Sequence, residues 1–227
     1  MEQNSKVEKF LFEESYQELN TSSGSENESE KPKPANKPLM IIGPSGVGKD
    51  SIMSRFKEKY PNLIDKCVSY TTRAKRNGEI EGRNYYYISK EEFEELESKN
   101  ELIGVFKHYG NCYGLSKSVL KNRLSNDKIV YLDFNITTAE ETAKNSNLDI
   151  NYIALLPPSI DILKDRLVKR NTEDAQKLQK RLEFAPIEIE KIKAAKFLNR
   201  KIINDNIDET FEEFEECVKE LYPSLFQ

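Results

Sequence analysis

A glycine-rich loop that ends in lysine follows the first strongly apolar run of the chain. The run is Leu39 to Ile42, and the loop, Gly43 to Lys49, reads Gly-Pro-Ser-Gly-Val-Gly-Lys. Backbone N–H groups of such a loop can point at phosphate oxygens, while the positive end of the following helix and the lysine ammonium add charge. A glycine turn after a buried strand is the alternative, but it does not explain the spacing of the glycines and the lysine. The loop therefore predicts binding of a nucleotide through its phosphates.

The residue after Lys49 departs from this motif. Ser or Thr normally follows the lysine and binds magnesium, whereas this chain has Asp50, with Ser51 one position later. A carboxylate at this position could bond the cation directly, or it could repel the donor phosphates. The sequence leaves both effects open.

A second arginine-rich segment lies between Ser69 and Glu79. It contains Arg73 and Arg76, three residues apart, among hydroxyl side chains, and Tyr85 follows. A guanidinium group can donate two parallel hydrogen bonds to the oxygens of one phosphate, so this segment could hold a second phosphate. A solvated basic loop is the alternative.

Three further arginines lie late in the chain. Arg166 and Arg170 are four residues apart, on one face of a predicted helix, and Arg181 follows eleven residues later. Two cations on one helix face can reach the same phosphates. The alternative interpretation is that these arginines are surface cations among glutamates. We favour the phosphate role because of the combined spacing.

Asp133 ends an apolar run, where α/β sheets present ligand-binding groups, so it is a candidate to act on Mg²⁺ directly or through water. It could also cap the next element. Asn204 and Asp205 follow a late apolar run, and a simple turn would explain them as well as a nucleotide contact would.

The surrounding pattern predicts how these residues are positioned. From Leu39 onward, apolar strand-like runs alternate with amphipathic helical stretches, which indicates a parallel sheet covered by helices. The predicted elements are strands at Ile129–Asp133, Ile150–Leu156 and Lys201–Asn204, with helices from Ser159 to about Arg170 and from Asp208 to Leu221. Between Ser69 and Gly114 the pattern changes to a small β-rich insertion, in which a Ser89-x-x-Glu92 capping box opens a helix.

Composition narrows the function classes. The chain has 227 residues, a net charge of −4 and three cysteines in no metal-binding or redox spacing. An excess of acids argues against a nucleic-acid polymer as partner, and unpaired cysteines predict a cytoplasmic protein. No apolar run reaches membrane length. Residues 1–37 are predicted to be a disordered N-terminal extension, because the tract from Thr21 to Pro38 has almost nothing to bury.

Several short motifs, taken in order, resemble guanylate kinase, the nucleoside-monophosphate kinase family that phosphorylates GMP with ATP. The phosphate loop is followed by Ser-x-Thr-Thr-Arg-x-x-Arg-x-Gly-Glu-x-x-Gly-x-x-Tyr, from Ser69 to Tyr85. The resemblance continues through Gly110–Gly114, Leu132-Asp133, Leu156–Ser159, Arg166, Arg170-x-Thr172-Glu173, Arg181 and Ile203–Asp205.

The resemblance implies a fold and an activity. The fold is a doubly wound α/β domain of the P-loop nucleoside-monophosphate kinase type over residues 38–227, with a small β-rich GMP-binding segment at 69–115 and a helical lid at 167–185. The activity is transfer of the γ-phosphoryl of ATP to GMP, giving ADP and GDP, with Mg²⁺ as cofactor. The expected protein is a cytoplasmic monomer with no nucleic-acid polymer or membrane partner.

The resemblance also assigns site residues. ATP is expected to contact Gly43, Pro44, Ser45, Gly46, Val47, Gly48, Lys49, Asp50, Ser51, Arg170, Asn204 and Asp205. GMP is expected to contact Ser69, Arg73, Arg76, Tyr85, Tyr113 and Asn135. The catalytic residues are expected to be Lys49, Arg76, Arg166, Arg170 and Arg181, and the metal ligands Asp50 and Asp133.

Base recognition departs from the family pattern. The two family carboxylates that read guanine map to Gly104 and Asn135, and Leu115 intervenes before Ser116, where a hydroxyl residue is usual. An asparagine carbonyl can accept one guanine N–H, and glycine offers only backbone. A kinase of relaxed base specificity is therefore an alternative. An inactive guanylate-kinase-like scaffold that binds a phosphorylated peptide is another, but such scaffolds lose the phosphate loop and the lid arginines.

Overall fold

A computed structural model describes residues 35–76, 78–108, 110–125, 127–145, 148–170 and 175–227. All of them belong to one compact unit, Pro34–Gln227. Most of the predicted extension, residues 171–174 of the predicted lid, and the side chain of Arg170 lie outside the described part. No helix among the described residues has the length and apolar character needed to cross a membrane.

A five-stranded parallel sheet forms the centre of the molecule. Its order is β2-β7-β1-β8-β9. The strands are β1 Leu39–Ile42, β2 Ile64–Lys66, β7 Ile129–Asp133, β8 Asn151–Leu156 and β9 Arg200–Ile203. β1 and β8 are buried at every position, as expected of central parallel strands covered on both faces.

Helices cover both faces of this sheet. These helices are α1 Lys49–Lys59, α3 Lys117–Arg123, α4 Ile136–Asn145, α5 Ile160–Arg170, α6 Ala175–Ala194 and α7 Ile207–Leu221, and a short 3₁₀ helix spans Pro223–Leu225. Helix α2 Lys90–Ser98 packs instead in a separate core, through Phe93 against Tyr70 and Leu102. Side chains alternate along β1: Leu39 and Ile41 pack in the core beneath α1, α5 and α7, while Met40 and Ile42 pack beneath α3, α4 and α6. The two cores place the carboxyl end of β1, where the glycine-rich loop begins, between helices of both layers.

A second, four-stranded sheet forms the predicted β-rich insertion. Its order is β4-β3-β6-β5, with β3 at Tyr70–Thr71, β4 at Tyr86–Tyr87, β5 at Leu102–His108 and β6 at Asn111–Ser116. β6 is antiparallel to both β3 and β5. The Ser89 hydroxyl accepts from the Glu92 N–H at 3.1 Å and the Glu92 carboxylate accepts from the Ser89 N–H at 2.7 Å, which confirms the capping box.

The predicted fold class is confirmed, with small shifts at the ends of elements. Ile150 precedes β8, and Asn204 follows β9 instead of ending it. Helix α5 begins after Ser159, whose hydroxyl accepts from the Ile162 N–H at 3.1 Å, as an N-cap does.

Candidate active site

The glycine-rich loop turns tightly between β1 and α1. Gly46 and Gly48 have φ of 86° and 109°, which L side chains rarely adopt. A Cβ on Gly48 would lie 2.3 Å from the Nδ2 of Asn204, so the loop leaves no room for a side chain there. Lys49, the first residue of α1, donates from Nζ to the Gly43 carbonyl at 2.7 Å. The ammonium is therefore held against the loop itself.

Asn204, the residue after β9, braces the loop. It is buried, and its Nδ2 donates to the Val47 carbonyl at 2.7 Å while its Oδ1 accepts from the Thr210 hydroxyl at 3.1 Å. Arg166 donates from Nη1 to the Asn204 carbonyl at 2.8 Å and from Nη2 to the Asp205 carbonyl at 3.1 Å. The Asn204 side chain is thus committed to the loop backbone, and Arg166 is committed to the turn that carries Asn204.

Helix α6 brings a cation and a carboxylate to the same loop. The Arg181 guanidinium donates to the Ser45 hydroxyl within the loop. Glu188 lies seven residues further, on the same helix face. Burial raises the pKa of Glu188, and the nearby Lys49 and Arg181 oppose that rise. Lys49 and Arg181 are therefore both close enough to Glu188 to act on its charge, beside the glycine-rich loop.

Two carboxylates lie at the carboxyl ends of β7 and of the loop. Asp133 ends β7 and pairs in register with Ile41, while Asp50 is in the first turn of α1. Burial raises the pKa of Tyr131, and Asp133 and then Asp50 raise it further, so both carboxylates act on the same side chain. Within the described residues no three metal-binding side chains form a complete cage. Mg²⁺ commonly takes one or two carboxylates and completes its octahedron with water and substrate phosphates, so this donor set fits it.

The arginine-rich segment is organised around an ion pair. Arg73 donates from Nη2 to Glu79 Oε1 at 2.7 Å and from Nη1 to Glu79 Oε2 at 3.0 Å. The Arg73 guanidinium lies 5.4 Å from the ring centre of Tyr85 and 5.8 Å from that of Tyr87. The hydrogen bonds to Glu79 raise the pKa of Arg73, while those from Arg73 lead the causes that lower the pKa of Glu79 to about 2. Arg76 is exposed beside them.

Aromatic rings cluster beside the Arg73 guanidinium. Tyr85 and Tyr113 meet edge to face with ring centres 5.8 Å apart, and Phe106 stacks on the other side of Tyr113 at 4.8 Å. Burial raises the pKa of Tyr85 to about 12, with Asp133 the next cause. Tyr85, from the second sheet, and Asp133, at the end of β7, are therefore electrostatic neighbours.

The positions predicted to read the base offer few polar groups. Gly104 has φ of 64°, and a Cβ there would lie 2.2 Å from the buried ring of Phe134. The Asn135 Oδ1 accepts from the Thr138 N–H at 2.9 Å and so caps the start of α4. Leu115 is fully buried. Ser69 is half-buried, and its carbonyl accepts from the Tyr86 N–H at 2.9 Å.

The family follows from comparison with known proteins. A family model described as guanylate kinase matches residues 35–221. The chain belongs to the guanylate kinase family. The guanylate kinase of Homo sapiens is 32% identical over 184 residues, which cover 81% of this chain and 93% of that protein. That of Clostridium tetani (strain Massachusetts / E88) is 36% identical over 180 residues, covering 79% and 84%. A crystal structure of guanylate kinase from Anaplasma phagocytophilum matches with a TM-score of 0.63 at 26% identity, over 87% of this chain and 90% of that one.

In this member of the guanylate kinase family, the predicted site residues form two groups. Lys49, Ser45 and Arg181 lie together at the loop, and Arg73, Tyr85 and Tyr113 lie together in the β-rich segment. Asn204 and Arg166 reach the first group only as braces.

Sequence reasoning overlooked three residues. Glu79 stood in the quoted family motif without a role, although an acid six residues after Arg73 is a visible candidate partner. Tyr87 has no role in that motif either, whereas its hydroxyl donates to Glu79 Oε2 at 2.7 Å. Glu188 had no local signal, because the fold alone brings α6 to the loop.

Proposed function

We propose that this chain transfers the γ-phosphoryl of ATP to GMP, giving ADP and GDP, with the glycine-rich loop as donor site and the β-rich segment as acceptor site. Family membership supports the reaction. The observation that carries the assignment to residues is the pair of separate cationic groups, one around Lys49 and one around Arg73. Two anionic substrates must be held together in this reaction, and each group suits one of them.

On the donor side, we propose that the amides of residues 43–49 and Lys49 hold the ATP phosphates. Lys49 is held on the Gly43 carbonyl, which a phosphate oxygen would replace as the partner of its ammonium. Arg181 is already beside Ser45, and with Arg166 and Arg170 it would neutralise the transferring phosphoryl. Asp205 and Ser51 are exposed beside the loop and complete the proposed ATP contacts.

On the acceptor side, we propose that Arg73, Arg76, Tyr85 and Tyr113 hold the GMP phosphate. Arg76 is exposed, so its guanidinium can meet a phosphate without losing buried contacts. Ser69 and Asn135 are the proposed base contacts. Because the Asn135 carbonyl oxygen caps α4, its Nδ2 is the group left to face a base.

Mg²⁺ is the proposed cofactor, held by Asp133 and Asp50 together with ATP oxygens. When bound, the ion would withdraw charge from the donor phosphates. The two carboxylates would position it, and both are exposed at the carboxyl end of the sheet.

We propose a kinase domain at residues 38–227, with 69–115 closing over GMP and 167–185 over ATP. The described cysteines, Cys67, Cys112 and Cys217, are buried and unpaired, which supports a reducing, cytoplasmic location. A monomer that acts on free nucleotides, with no nucleic-acid polymer or membrane partner, is part of the same proposal.

Relaxed base specificity is a second candidate, favoured by one observation. Gly104 and Asn135 offer no carboxylate to the guanine N1–H and N2–H donors. Phe134 also fills the space beside Gly104, and the Asn135 oxygen already accepts a hydrogen bond from the Thr138 N–H. An inactive scaffold is disfavoured by the intact loop and Lys49.

An ADP-release assay across GMP, dGMP, AMP, UMP and CMP tests the proposal. We expect Mg²⁺-dependent turnover with GMP above all others. Similar turnover with AMP and GMP would favour relaxed specificity. Folded protein that turns over none of the five would overturn the kinase assignment.

A further inference from the structure

Glu79 is the most heavily hydrogen-bonded carboxylate of the arginine-rich segment. Its Oε1 accepts from Arg73, and its Oε2 accepts from three donors: Arg73 Nη1, the Arg76 N–H at 2.7 Å and the Tyr87 hydroxyl at 2.7 Å. The Glu79 side chain thus connects the Arg73 guanidinium, the Arg76 backbone and, through Tyr87, strand β4.

This arrangement fixes the Arg73 guanidinium in plane and in position. The Arg73 and Glu79 side chains are only 12% and 17% exposed. Arg73 also donates from Nη1 to the Ala74 carbonyl at 2.8 Å. With Tyr85 and Tyr87 close to the guanidinium, the side chain cannot rotate without breaking several contacts. A paired guanidinium of this kind is held in its orientation before any ligand arrives.

The Arg76 contact sets the distance between the two arginines. Because the Arg76 N–H is bonded to the same oxygen as Arg73 Nη1, the backbone at Arg76 is held at a fixed place relative to the Arg73 guanidinium. The Arg76 side chain is exposed and extends from that fixed point. With its backbone fixed, Arg76 has only its own side chain to order when its guanidinium meets the phosphate that Arg73 binds.

We propose that Glu79 is a positioning residue of the acceptor site, which holds the Arg73 guanidinium and the Arg76 backbone in place so that both arginines can meet one phosphate group. This inference rests on the proposed function. Glu79 acts through the arginines and does not touch substrate.

A competing role would make Glu79 a stand-in for phosphate that must leave before GMP binds. The geometry disfavours this role. Departure would break four hydrogen bonds, two of which, from Arg76 and Tyr87, have no bearing on freeing Arg73. A low pKa, lowered first by Arg73 and also by the Arg76 N–H and Tyr87, agrees with a carboxylate that stays in place.

Glu79→Gln tests the proposal with little change in size. The glutamine oxygen can replace only one carboxylate oxygen, and its NH₂ then faces an arginine N–H as donor against donor. We expect the KM and the Kd for GMP, the latter by calorimetry, to rise about tenfold or more, and the KM for ATP to change by less than about twofold. Glu79→Ala should raise both GMP constants further.

Glu81→Gln is the matched control. It removes the same charge two residues away, and Glu81 contacts the Tyr87 N–H instead of either arginine. We expect its GMP constants to stay within about threefold of wild type. Tyr87→Phe removes a single bond to Glu79 and keeps the ring, so it serves if the Glu79 variants do not fold; its GMP Kd should rise about two- to fivefold.

Unchanged GMP constants in folded Glu79→Gln, or in Tyr87→Phe where the Glu79 variants do not fold, would overturn the positioning role. A decrease in the GMP Kd would instead show that the carboxylate competes with phosphate. Equal losses of ATP and GMP affinity would indicate general damage and would also overturn it. If wild type neither binds nor phosphorylates GMP, the proposed function fails as well; if wild type does both, any failure belongs to this inference alone.

Discussion

The two proposed phosphate sites of this protein are built from different parts of the chain. The donor loop is made of backbone, in which glycines with positive φ and the start of α1 shape a cradle fixed to the central sheet. The proposed acceptor site is made of side chains that follow β3, precede β4 and lie on β6, and it is ordered by the Arg73–Glu79 pair. A backbone cradle depends on turns and packing, whereas a side-chain site depends on a few polar contacts. Single substitutions should therefore damage the two sites in different ways.

The largest effect should come from removing the charge of Lys49 in the donor loop. Lys49→Met keeps length and apolar bulk but removes the ammonium, so we expect kcat to fall about 100-fold or more. Steady-state kinetics with saturating ATP and GMP measures this, and Lys57→Met, at an exposed position of the same helix, is the control. A rise in the KM for ATP with an unchanged kcat would show that Lys49 serves binding alone.

Arg73→Ala should separate the acceptor site from the donor site. Loss of a charge-assisted bidentate donor costs about 1.5–3 kcal/mol, so the KM for GMP should rise about 10- to 150-fold while the KM for ATP changes little. Lys75→Ala removes an exposed cation from the same segment and should have little effect. If ATP affinity fell and GMP affinity did not, the two sites would be assigned the wrong way round.

Asn204→Ala tests whether the backbone cradle needs its brace. The variant leaves the Val47 carbonyl without its buried donor, and we expect unfolding free energy to fall by about 1–3 kcal/mol with a several-fold rise in the KM for ATP. Denaturant unfolding and ATP titration measure the two effects, and Thr210→Val should reproduce them weakly. Asn145→Ala, at an exposed site on α4, is the control. An unchanged KM for ATP would mean that the loop keeps its shape without Asn204.

Asp50→Ser examines the residue that departs from the loop motif. We expect the cation to govern the effect of this carboxylate, so wild type should need Mg²⁺ more than the variant does and should bind ATP more weakly in EDTA, by about threefold. Asp161→Ser makes the same change in the first turn of α5 and should alter neither quantity. Identical metal dependence in wild type and Asp50→Ser would show that the departure has no effect on the site.

The smallest effect is expected on stability in acid. It can be compared between Glu79, in the proposed acceptor site, and Glu215, which is remote from both sites. Burial alone raises the pKa of Glu215, but hydrogen bonds from Lys59, Tyr60 and Lys219 outweigh it and lower the pKa to about 2, similar to that of Glu79. A folded-state pKa below the usual 4.5 gives stability that is present above about pH 4.5 and is lost as the pH falls toward 2.

Glu215→Gln and Glu79→Gln should therefore each flatten the dependence of unfolding free energy on pH between about 4.5 and 2. Denaturant unfolding at a series of pH values measures the slope. Glu212→Gln, at an exposed position of α7, should leave the slope unchanged. A slope equal to wild type in Glu215→Gln would mean that this carboxylate keeps an ordinary pKa in the folded protein.

Much of the fold could be predicted because its signals are local. Apolar runs at Leu39–Ile42 and Ile129–Asp133 are strands in the structure, and the Ser89-x-x-Glu92 box opens α2, since strand burial and helix capping depend on residues a few positions apart. The order of strands in the sheet has no such local signal. It follows from the crossover connections that put β7 and β8 on either side of β1.

The sequence by itself determined the phosphate loop, the two closely spaced arginines of one short segment, and the family, because each of these depends on residue types at fixed spacing. Only the tertiary structure decided which side chains face a ligand and which brace the protein. Asn204 is directed at the Val47 carbonyl, Asn135 caps α4, and Phe134 fills the space at Gly104. The contacts of Asn204 and Gly104 join elements far apart in sequence, and a polar side chain bonds to whichever partner, local or distant, the fold brings within reach.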